Sequence, residues 1–311
     1  MNQQNFKKEK PRILAVIVTY NPNIGLLIRN IRAIKSNLNN NYLVVDNGSH
    51  NFNDISNIVE SSHIIKLSKN LGIAAAQNKG FAYGNNHFYD WILTLDQDSK
   101  IPENFIRRIY ALPEFYKKNT GIIGSNFTNS FFKMSNKKGL IKQSRIDTII
   151  ASGSLININA WKWVEGFDES LFIDCVDFDF NAKLKISGFS LFKNYDILIK
   201  HEIGQVVYAP ILGPLLFPNN KPKYFSDHSY TRLYFIYRNS VIIKKRYPQF
   251  FINDKNPVYS NFKKSREIIV FSHPRIKKFF FAFKGTLDSS FYKPEKDLEF
   301  QKVIRRICHE N

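Results

Sequence analysis

The first hundred residues alternate between short apolar runs and segments in which apolar residues recur at helical spacing. Runs rich in β-branched residues are typical of strands buried on both faces, and a 3.6-residue period is typical of amphipathic helices. The pattern predicts four strands, at Arg12–Thr19, Tyr42–Val45, His63–Leu67 and Trp91–Leu95. It also predicts three helices, at Asn23–Ser36, at Ile73–Tyr83 and through Phe105 to Ile109 with Pro102 early in it. This order predicts an α/β fold with a mostly parallel sheet covered by helices on both faces.

The second part of the chain is less regular. It predicts a helix at Asp177–Ser187, ended by Gly188, and four strands, at Gly121–Ser125, Thr148–Ile156, Ser190–Lys193 and Asp196–Lys200. From about Pro210 aromatic and basic residues dominate, and we predict helices at Tyr230–Lys245 and Lys263–Lys284. We therefore expect a short tail at 1–11, an α/β domain at 12–210 and a helical region at 211–311.

Composition narrows the class of protein. Apolar residues make up 43% of the chain and charged residues 23%, a globular profile that excludes long disorder. Cys175 and Cys308 are too few for a disulfide framework, and their separation matches no zinc motif. No stretch reaches the roughly 18 apolar residues of a spanning helix, and the first residues lack the apolar run of a signal peptide. We expect a cytoplasmic protein whose membrane contact is at most peripheral.

Polar residues follow three of the predicted strands at the point where each ends. Thr19-Tyr20-Asn21 ends the first strand, Asp46-Asn47 the second, and Asp96-Gln97-Asp98 the fourth. Each cluster alone could be an ordinary turn. Because the carboxyl ends of parallel strands meet at one edge of a sheet, where ligands bind, the three together predict a binding crevice there.

The triplet Asp96-Gln97-Asp98 (hereafter the DQD triplet) carries the most specific chemistry. Two carboxylates one residue apart at a strand end can converge on a divalent ion, and hard oxygen ligands suit Mg²⁺ or Mn²⁺. Such an ion would bridge a substrate diphosphate and offset the charge that develops on it as it departs. The sequence therefore predicts a metal and phosphate site at this strand end.

A second acidic cluster lies in the segment LFIDCVDFDF, with Asp174, Asp177 and Asp179 among bulky apolar residues. A carboxylate in such surroundings can have a raised pKa and act as a general base. The alternative is that these residues favour the start of the following helix through its dipole. His201, at the end of another predicted strand, could be a further metal ligand or simply a structural residue.

Five segments follow one another along the chain: Val16–Pro22, Val44–Ser49, Asn70–Gly80, Leu95–Ser99 and Ala151–Phe180. In this order they resemble the inverting family-2 glycosyltransferases of the GT-A fold. Together with His228–Asn239, which is similar to a segment found after the catalytic domain in one subgroup, they look most like the bacterial rhamnosyltransferases that build O-antigen, capsule or cell-wall polysaccharide. The similarity covers roughly residues 12–240. It implies that residues 12–210 form the catalytic domain.

The resemblance implies a role for each matching position. Residues at the nucleotide would be Thr19, Tyr20 and Asn21, with Asp46 on the pyrimidine base and Asn70, Gly72 and Asn78 in the block that closes the donor pocket. The DQD triplet would hold ribose, diphosphate and metal through Asp96 and Asp98. Gly153 and Ser154 match a block near the transferred sugar, and His201 matches a metal-ligating histidine of several relatives.

The chain departs from the family at the expected catalytic base. Many relatives carry two adjacent acidic residues whose second member is the base, and here Asp174 is followed by Cys175. A thiol is a poor substitute for a carboxylate at neutral pH. The base is then Asp177 or Asp174; we favour Asp177, because it would begin the helix and face the cleft.

The formal net charge of +19 and the mixture of aromatic and basic residues after Phe225 indicate an anionic partner or simply a solvated surface. Three interpretations compete for the C-terminal region: a helical subdomain packed on the catalytic domain, a peripheral membrane surface, and a nucleic-acid surface. A lipid-linked saccharide acceptor, implied by the resemblance, favours the membrane surface at the cytosolic face of the bacterial inner membrane, and we expect no nucleic acid.

The expected activity is transfer of L-rhamnose from dTDP-rhamnose to that acceptor with inversion. Two alternatives stay open: transfer of another hexose or galactofuranose from a UDP-sugar, and a non-catalytic relative that binds sugar or membrane.

Overall fold

A computed structural model describes residues 10–128, 137–200, 206–208, 224–254 and 256–309. The central feature is an eight-stranded sheet in the order β3-β2-β1-β4-β7-β5-β8-β6. A separate antiparallel pair is formed by β9 and β10. The strands are β1 Ile13–Thr19, β2 Tyr42–Asp46, β3 Ile64–Lys66, β4 Trp91–Asp96, β5 Thr120–Thr128, β6 Leu140–Lys142, β7 Ser154–Asn157, β8 Ser190–Lys200, β9 Val206–Tyr208 and β10 Tyr224–Ser226.

The helices connect the strands and then continue as a C-terminal group. Asn23 caps the first helix with its side chain, and Ser229 caps the seventh in the same way. The helices are α1 Ile24–Leu38, α2 Phe52–Ser56, α3 Ile73–Asn86, α4 Phe105–Tyr110, α5 Ile158–Trp163, α6 Val176–Ile186, α7 Tyr230–Arg246, α8 Pro257–Phe271, α9 Arg275–Ser290 and α10 Leu298–His309.

The predicted α/β fold is confirmed, and the half of the sheet that carries the polar strand ends is parallel. Strands β3, β2, β1 and β4 run parallel to one another, whereas β7 runs antiparallel to both of its neighbours, β4 and β5. Alternate side chains of β1 enter two different cores, one on each face of the sheet. The apolar runs of the sequence therefore reflect burial on both faces.

Four details of the predicted elements are wrong. The strand predicted at Thr148–Ile156 begins only at Ser154, because the preceding residues form a short 3₁₀ turn and a bend. The two strands predicted between 190 and 200 are one strand with an irregularity in its pairing to β5. The helix predicted at Lys263–Lys284 is interrupted before Pro274, and Pro102 precedes its helix, which begins at Phe105.

The C-terminal helices share a core with the α/β part. Ile242, Tyr247 and Phe300 belong to the same buried cluster as β1 and α3. Strands β9 and β10 pair across residue 210, so the boundary predicted there separates two hydrogen-bonded strands. Within the described part of the chain, no helix has the length and apolar character needed to cross a bilayer.

A buried ion cluster fastens α7 to the rest of the molecule. The Arg246 guanidinium, with its side chain 3% exposed, donates to Asp168, Asp179 and Asp297 at 2.6, 3.0 and 2.8 Å. Tyr247 donates a hydrogen bond to Asp179 at 2.8 Å. Removing the arginine would leave these carboxylates without their shared counter-charge in a buried site.

We expect Arg246→Met to lower the free energy of unfolding by roughly 3–5 kcal/mol, the usual cost of breaking a buried pair. Arg306→Met is the matched control, because it breaks a half-exposed pair with Glu165, and it should cost at most about 1 kcal/mol. Urea denaturation of both variants measures the difference. Equal losses would show that the cluster does not fasten α7.

Candidate active site

The three polar strand ends lie side by side, as predicted. In the strand register Thr19 pairs with Asp46, and Val18 pairs with Asp96. The carboxyl ends of β1, β2 and β4 therefore form one edge of the parallel sheet, with Tyr20 exposed immediately beyond it. One part of the candidate site is therefore formed by the adjacent loops that follow these three strands.

Asp46 organises the loops after β1 and β2. Its fully buried carboxylate accepts hydrogen bonds from the Thr19 hydroxyl, the Ser49 hydroxyl and the Ser49 amide at 3.1, 2.5 and 3.0 Å. Ser49 in turn accepts from the amide of Asn21, whose backbone is left-handed with φ 48°. In this conformation Asp46 shapes the site from beneath, and its contact with a base stays a prediction.

Asn70 and Gly72 lie in a loop that connects the loop after β2 to the chain before the second acidic cluster. Asn47 donates to Asn70 and accepts from the Leu71 amide. Gly72 has φ 90°, and a Cβ there would lie 2.5 Å from the carbonyl oxygen of Phe172. Only glycine allows this approach. The loop therefore sets the position of the chain just before Asp174.

The DQD triplet is held from three directions. The Gln97 side chain accepts a hydrogen bond from the amide of Tyr20 at 2.9 Å, and Asn30 on α1 donates to the Asp96 carbonyl oxygen at 2.9 Å. The Asp96 amide donates to the Ser152 hydroxyl at 3.1 Å, and Ser152 is also hydrogen-bonded to Ser99. The backbone that carries the two carboxylates is thus fixed before any ligand binds.

Residues Ala151–Ser154 form a turn, the small-residue turn, that lies between the DQD triplet and the second acidic cluster. Gly153 has φ 69° and donates its amide to the carbonyl oxygen of Thr94 on β4. Ser154 is buried, and its hydroxyl donates to the carbonyl oxygen of Ile150 at 2.6 Å. These two residues therefore build the turn, and Ser152 is the member that contacts the DQD triplet.

Asp177 lies on the other side of the same turn, at the start of α6. Its carboxylate accepts a hydrogen bond from the amide of Ala151 at 3.3 Å. Burial raises the pKa of Asp177 to about 6, and the charges of Asp174 and Asp96 add to the rise, while backbone hydrogen bonds offset part of it. The structure thus places a carboxylate with a raised pKa next to the DQD triplet.

Asp174 is engaged in a different way. The guanidinium of Arg232 on α7 donates to both of its carboxylate oxygens, at 3.1 and 3.0 Å. Phe172, Asp174 and Cys175 all have left-handed backbones with φ near 62°, and such strain is characteristic of functional loops. To accept a proton, Asp174 would have to surrender a charge-assisted hydrogen bond.

Two further side chains of this segment, Cys175 and Asp179, are unsuited to proton transfer. Burial raises the pKa of the Cys175 thiol, and the neighbouring Asp177 and Asp174 raise it further, so the thiol stays protonated. Asp179 is buried in the ion cluster with Arg246 and Lys183. Asp179 therefore has a structural role. The sequence left such a role open for the residues at the start of this helix.

Asn78 secures the wall of the site from α3. Its side-chain nitrogen donates to the Phe167 carbonyl oxygen and to Glu169, and its oxygen accepts from Trp161 and from the Phe167 amide. Two donors and two acceptors use the hydrogen-bonding capacity of an amide. Asn78 therefore holds the 161–169 segment against α3 and keeps no group for a nucleotide in this conformation.

The side chains of the DQD triplet have donor atoms that suit a divalent ion. Asp96 and Asp98 offer the hard oxygen donors that Mg²⁺ and Mn²⁺ prefer. Among the described residues no cluster of three or more His, Cys, Asp and Glu side chains forms a metal site. His201, the third predicted ligand, lies outside the described residues.

Three contributors to the site, Asn30, Ser152 and Arg232, were not predicted, and Gln97 was predicted only as the middle residue of the DQD triplet, with no role of its own. Gln97 and Ser152 lie inside recognised segments, and Arg232 lies in the aromatic and basic segment after the catalytic domain. Their residue types alone carried no signal, because each acts through a partner more than 50 residues away. Asn30 lies in an unremarkable helical segment that gave no indication at all.

Comparisons with known proteins agree with this geometry. Residues 14–164 match the glycosyl transferase family 2. The solved structure of GalNAc-T7 with UDP, GalNAc and Mn²⁺ superposes with a TM-score of 0.52 at 12% identity, over 62% of this chain and 44% of that chain. The chain thus spans less than half the length of that structure, which shares the fold. The chain carries a family 2 glycosyltransferase domain of the GT-A fold and is a glycosyltransferase.

Two further proteins match more of the chain. A protein of Shigella flexneri described as "dTDP-rhamnosyl transferase RfbF" is 29% identical over 268 residues, which are 80% of this chain and 85% of the relative. The crystal structure of S. aureus TarS 1-349 covers 94% of this chain and 77% of its own, with a TM-score of 0.49 and 11% identity. The sequence similarity to the first relative thus extends beyond the matched domain.

Proposed function

We propose that the protein transfers L-rhamnose from dTDP-rhamnose to a saccharide acceptor in a single displacement that inverts the anomeric configuration. One observation supports this more than any other. The small-residue turn is hydrogen-bonded to the DQD triplet through Ser152 and to Asp177 through Ala151. A donor phosphate at the DQD triplet and an acceptor hydroxyl at Asp177 would therefore meet over one turn.

Asp177 is the base in this proposal. An acceptor hydroxyl gives its proton to the Asp177 carboxylate, the hydroxyl oxygen bonds to the anomeric carbon, and the bond to the diphosphate oxygen breaks. With one carboxylate acting on one face, no covalent sugar–enzyme intermediate forms. A pKa near 6 suits the task, because most of the carboxylate is ionised at neutral pH and can still accept a proton.

Two positive groups would balance the leaving diphosphate. A divalent ion held by Asp96 and Asp98 would supply Lewis-acid stabilisation of the departing oxygen. Arg232 supplies the second charge: burial lowers the pKa of its guanidinium, but Asp174 and Asp96 raise it above its usual value. We assign Asp174 the role of holding Arg232 in place beside the DQD triplet.

The Shigella relative and the charge of the chain support the proposed donor and acceptor. The relative's description names dTDP-rhamnose chemistry, which supports the same donor here. We propose that the acceptor is a lipid-linked saccharide of a bacterial surface polysaccharide and that the enzyme acts at the cytosolic face of the inner membrane. The net charge of +19 supports contact with an anionic surface.

The proposed base predicts how the rate depends on pH. We expect kcat/KM to fall as the pH is lowered through about 6, because Asp177 is then protonated. Asp174→Asn removes a negative neighbour, so the acid limb should move to lower pH. Initial rates across a pH series measure the acid limb of the wild type and that of the variant. A limb that moves to higher pH in this variant would exclude Asp177 as the titrating group.

Thermal unfolding with a panel of nucleotide sugars, each with and without Mn²⁺, tests the donor. A ligand at about 100 times its dissociation constant adds roughly 2.7 kcal/mol of stability. We expect dTDP-rhamnose with Mn²⁺ to raise the melting temperature more than UDP-glucose or UDP-galactofuranose. A larger rise with a UDP-sugar would replace rhamnose as the donor, and no rise with any donor would favour the non-catalytic alternative.

A further inference from the structure

Helix α9 exposes a row of large apolar side chains along one face. Ile276, Phe280, Phe283, Leu287 and the next residue after the helix, Phe291, follow one another at intervals of four, three, four and four. Their exposed fractions are 87, 57, 38, 44 and 80%. At 1.5 Å per residue the row is roughly 22 Å long. Isolated exposed apolar residues are normal, but a continuous row along a helix marks an interaction surface.

The opposite face of α9 is already used within the chain. Ala282, Gly285 and Ser289 are buried, and a Cβ at Gly285 would lie 2.3 Å from the carbonyl oxygen of Tyr234 on α7. Tyr234 also donates a hydrogen bond to Asp288 at 2.8 Å. Packing against α7 therefore fixes the orientation of α9 and turns its apolar row away from the described core.

Helix α8 extends this row into a wider surface. Tyr259, Phe262 and Ile269 are exposed on it, by 66, 37 and 47%. The rings of Phe262 and Phe283 are in contact, with centroids 5.5 Å apart, so the exposed residues of the two helices are continuous. We call these eight residues, 259, 262, 269, 276, 280, 283, 287 and 291, the apolar face.

The charges around the apolar face favour an anionic lipid surface as its partner. Between residues 257 and 291 there are seven Lys and Arg residues and two acidic residues. Lys263 and Arg266 are exposed beside the α8 residues, and Lys277 and Lys284 beside the α9 row. Two copies meeting face to face would bring like charges together, whereas an anionic lipid surface offers both an apolar layer and opposite charge.

We propose that the apolar face binds the surface of a bilayer that contains anionic phospholipids, with α9 lying in the plane of the interface. The aromatic rings would enter the boundary between headgroups and acyl chains, and the Lys and Arg side chains would contact lipid phosphates. Only the consequence of this contact rests on the proposed function: it would hold the catalytic domain near a lipid-linked acceptor.

Co-sedimentation with vesicles tests the proposal directly. Vesicles of phosphatidylethanolamine and phosphatidylglycerol are compared with vesicles of phosphatidylcholine, without donor or acceptor. The variant Ile276→Glu/Phe280→Glu changes two exposed residues of the face. The matched control Phe88→Glu/Tyr116→Glu changes the charge equally at two exposed residues of the α/β part. Circular dichroism confirms that both variants are folded.

We expect the full-length protein to bind the anionic vesicles and to release them in about 0.5 M NaCl, where charges are screened. The variant of the apolar face should bind at least about tenfold more weakly than the wild type, and the control should bind like the wild type. Failure of the wild type to bind, or equal binding by the variant, would overturn the proposal. So would a dimer in light scattering that this variant dissociates, which would assign the face to a second copy. Donor-induced thermal stabilisation in the same variant reports on the catalytic site separately.

Discussion

Asp177→Asn should lower kcat by roughly 10²- to 10⁴-fold, the range that a general base contributes. The amide keeps the shape of the side chain and cannot take the acceptor proton. The surrounding structure should be unchanged, because the amide oxygen can accept the hydrogen bond from the backbone amide of Ala151. Donor-induced stabilisation should remain as in the wild type, since the variant loses only an interaction used in the transition state.

Asp174→Asn is the matched control for this prediction. It removes the same charge three residues earlier in the chain, and its partner is the guanidinium of Arg232 rather than the acceptor. We expect less than about a tenfold loss of kcat, with weaker donor binding because Arg232 is no longer held. If Asp174→Asn were the more damaging variant in kcat, Asp174 would be the base.

Asp98→Ala should lower activity by about 10²-fold or more and remove the dependence on Mn²⁺. The change takes away one of two carboxylates at the DQD triplet, and metal stabilisation of a leaving group is worth several kcal/mol. The fold should be unaffected, because Asn30 and Ser152 hold the triplet through the backbone of Asp96. Assays across a Mn²⁺ titration measure the loss.

Asp54→Ala removes an exposed carboxylate from α2 and serves as the control. Its rate and its response to Mn²⁺ should match those of the wild type. Near-wild-type turnover of Asp98→Ala with saturating donor and metal would exclude the DQD triplet as the metal site. Metal dependence would then have to come from another group.

The parts of the fold predicted from sequence were those dictated by local burial. Strands β1, β2 and β4 are apolar because both faces of the sheet are covered. The sequence therefore predicted these strands and the polar residues that end them. The strand predicted at Thr148–Ile156 failed for a packing reason. Ile149 is buried against Gly124, where a Cβ would lie 2.6 Å from it, so its apolar side chain fills a gap without belonging to a strand.

The site divides in the same way. The DQD triplet and the acidic cluster could be predicted because their carboxylates lie within a few residues of one another in the sequence. The pairing of Asp174 with Arg232 spans 58 positions, and only the folded chain shows that it distinguishes Asp174 from Asp177. The prediction of one unbroken helix at Lys263–Lys284 was a different kind of error. Pro274 cannot donate the backbone hydrogen bond that a helix interior requires, so the helix is interrupted there. Apolar residues on both sides obscured that signal.

The anomeric configuration of the product is the most direct test of the central claim. The purified protein is incubated with dTDP-rhamnose, Mn²⁺ and a lipid-linked saccharide extract, and the new glycosidic bond is examined by NMR. A single displacement assisted by Asp177 predicts a configuration opposite to that of the donor. Retention of the donor's configuration, or no transfer from any nucleotide sugar, would contradict the account.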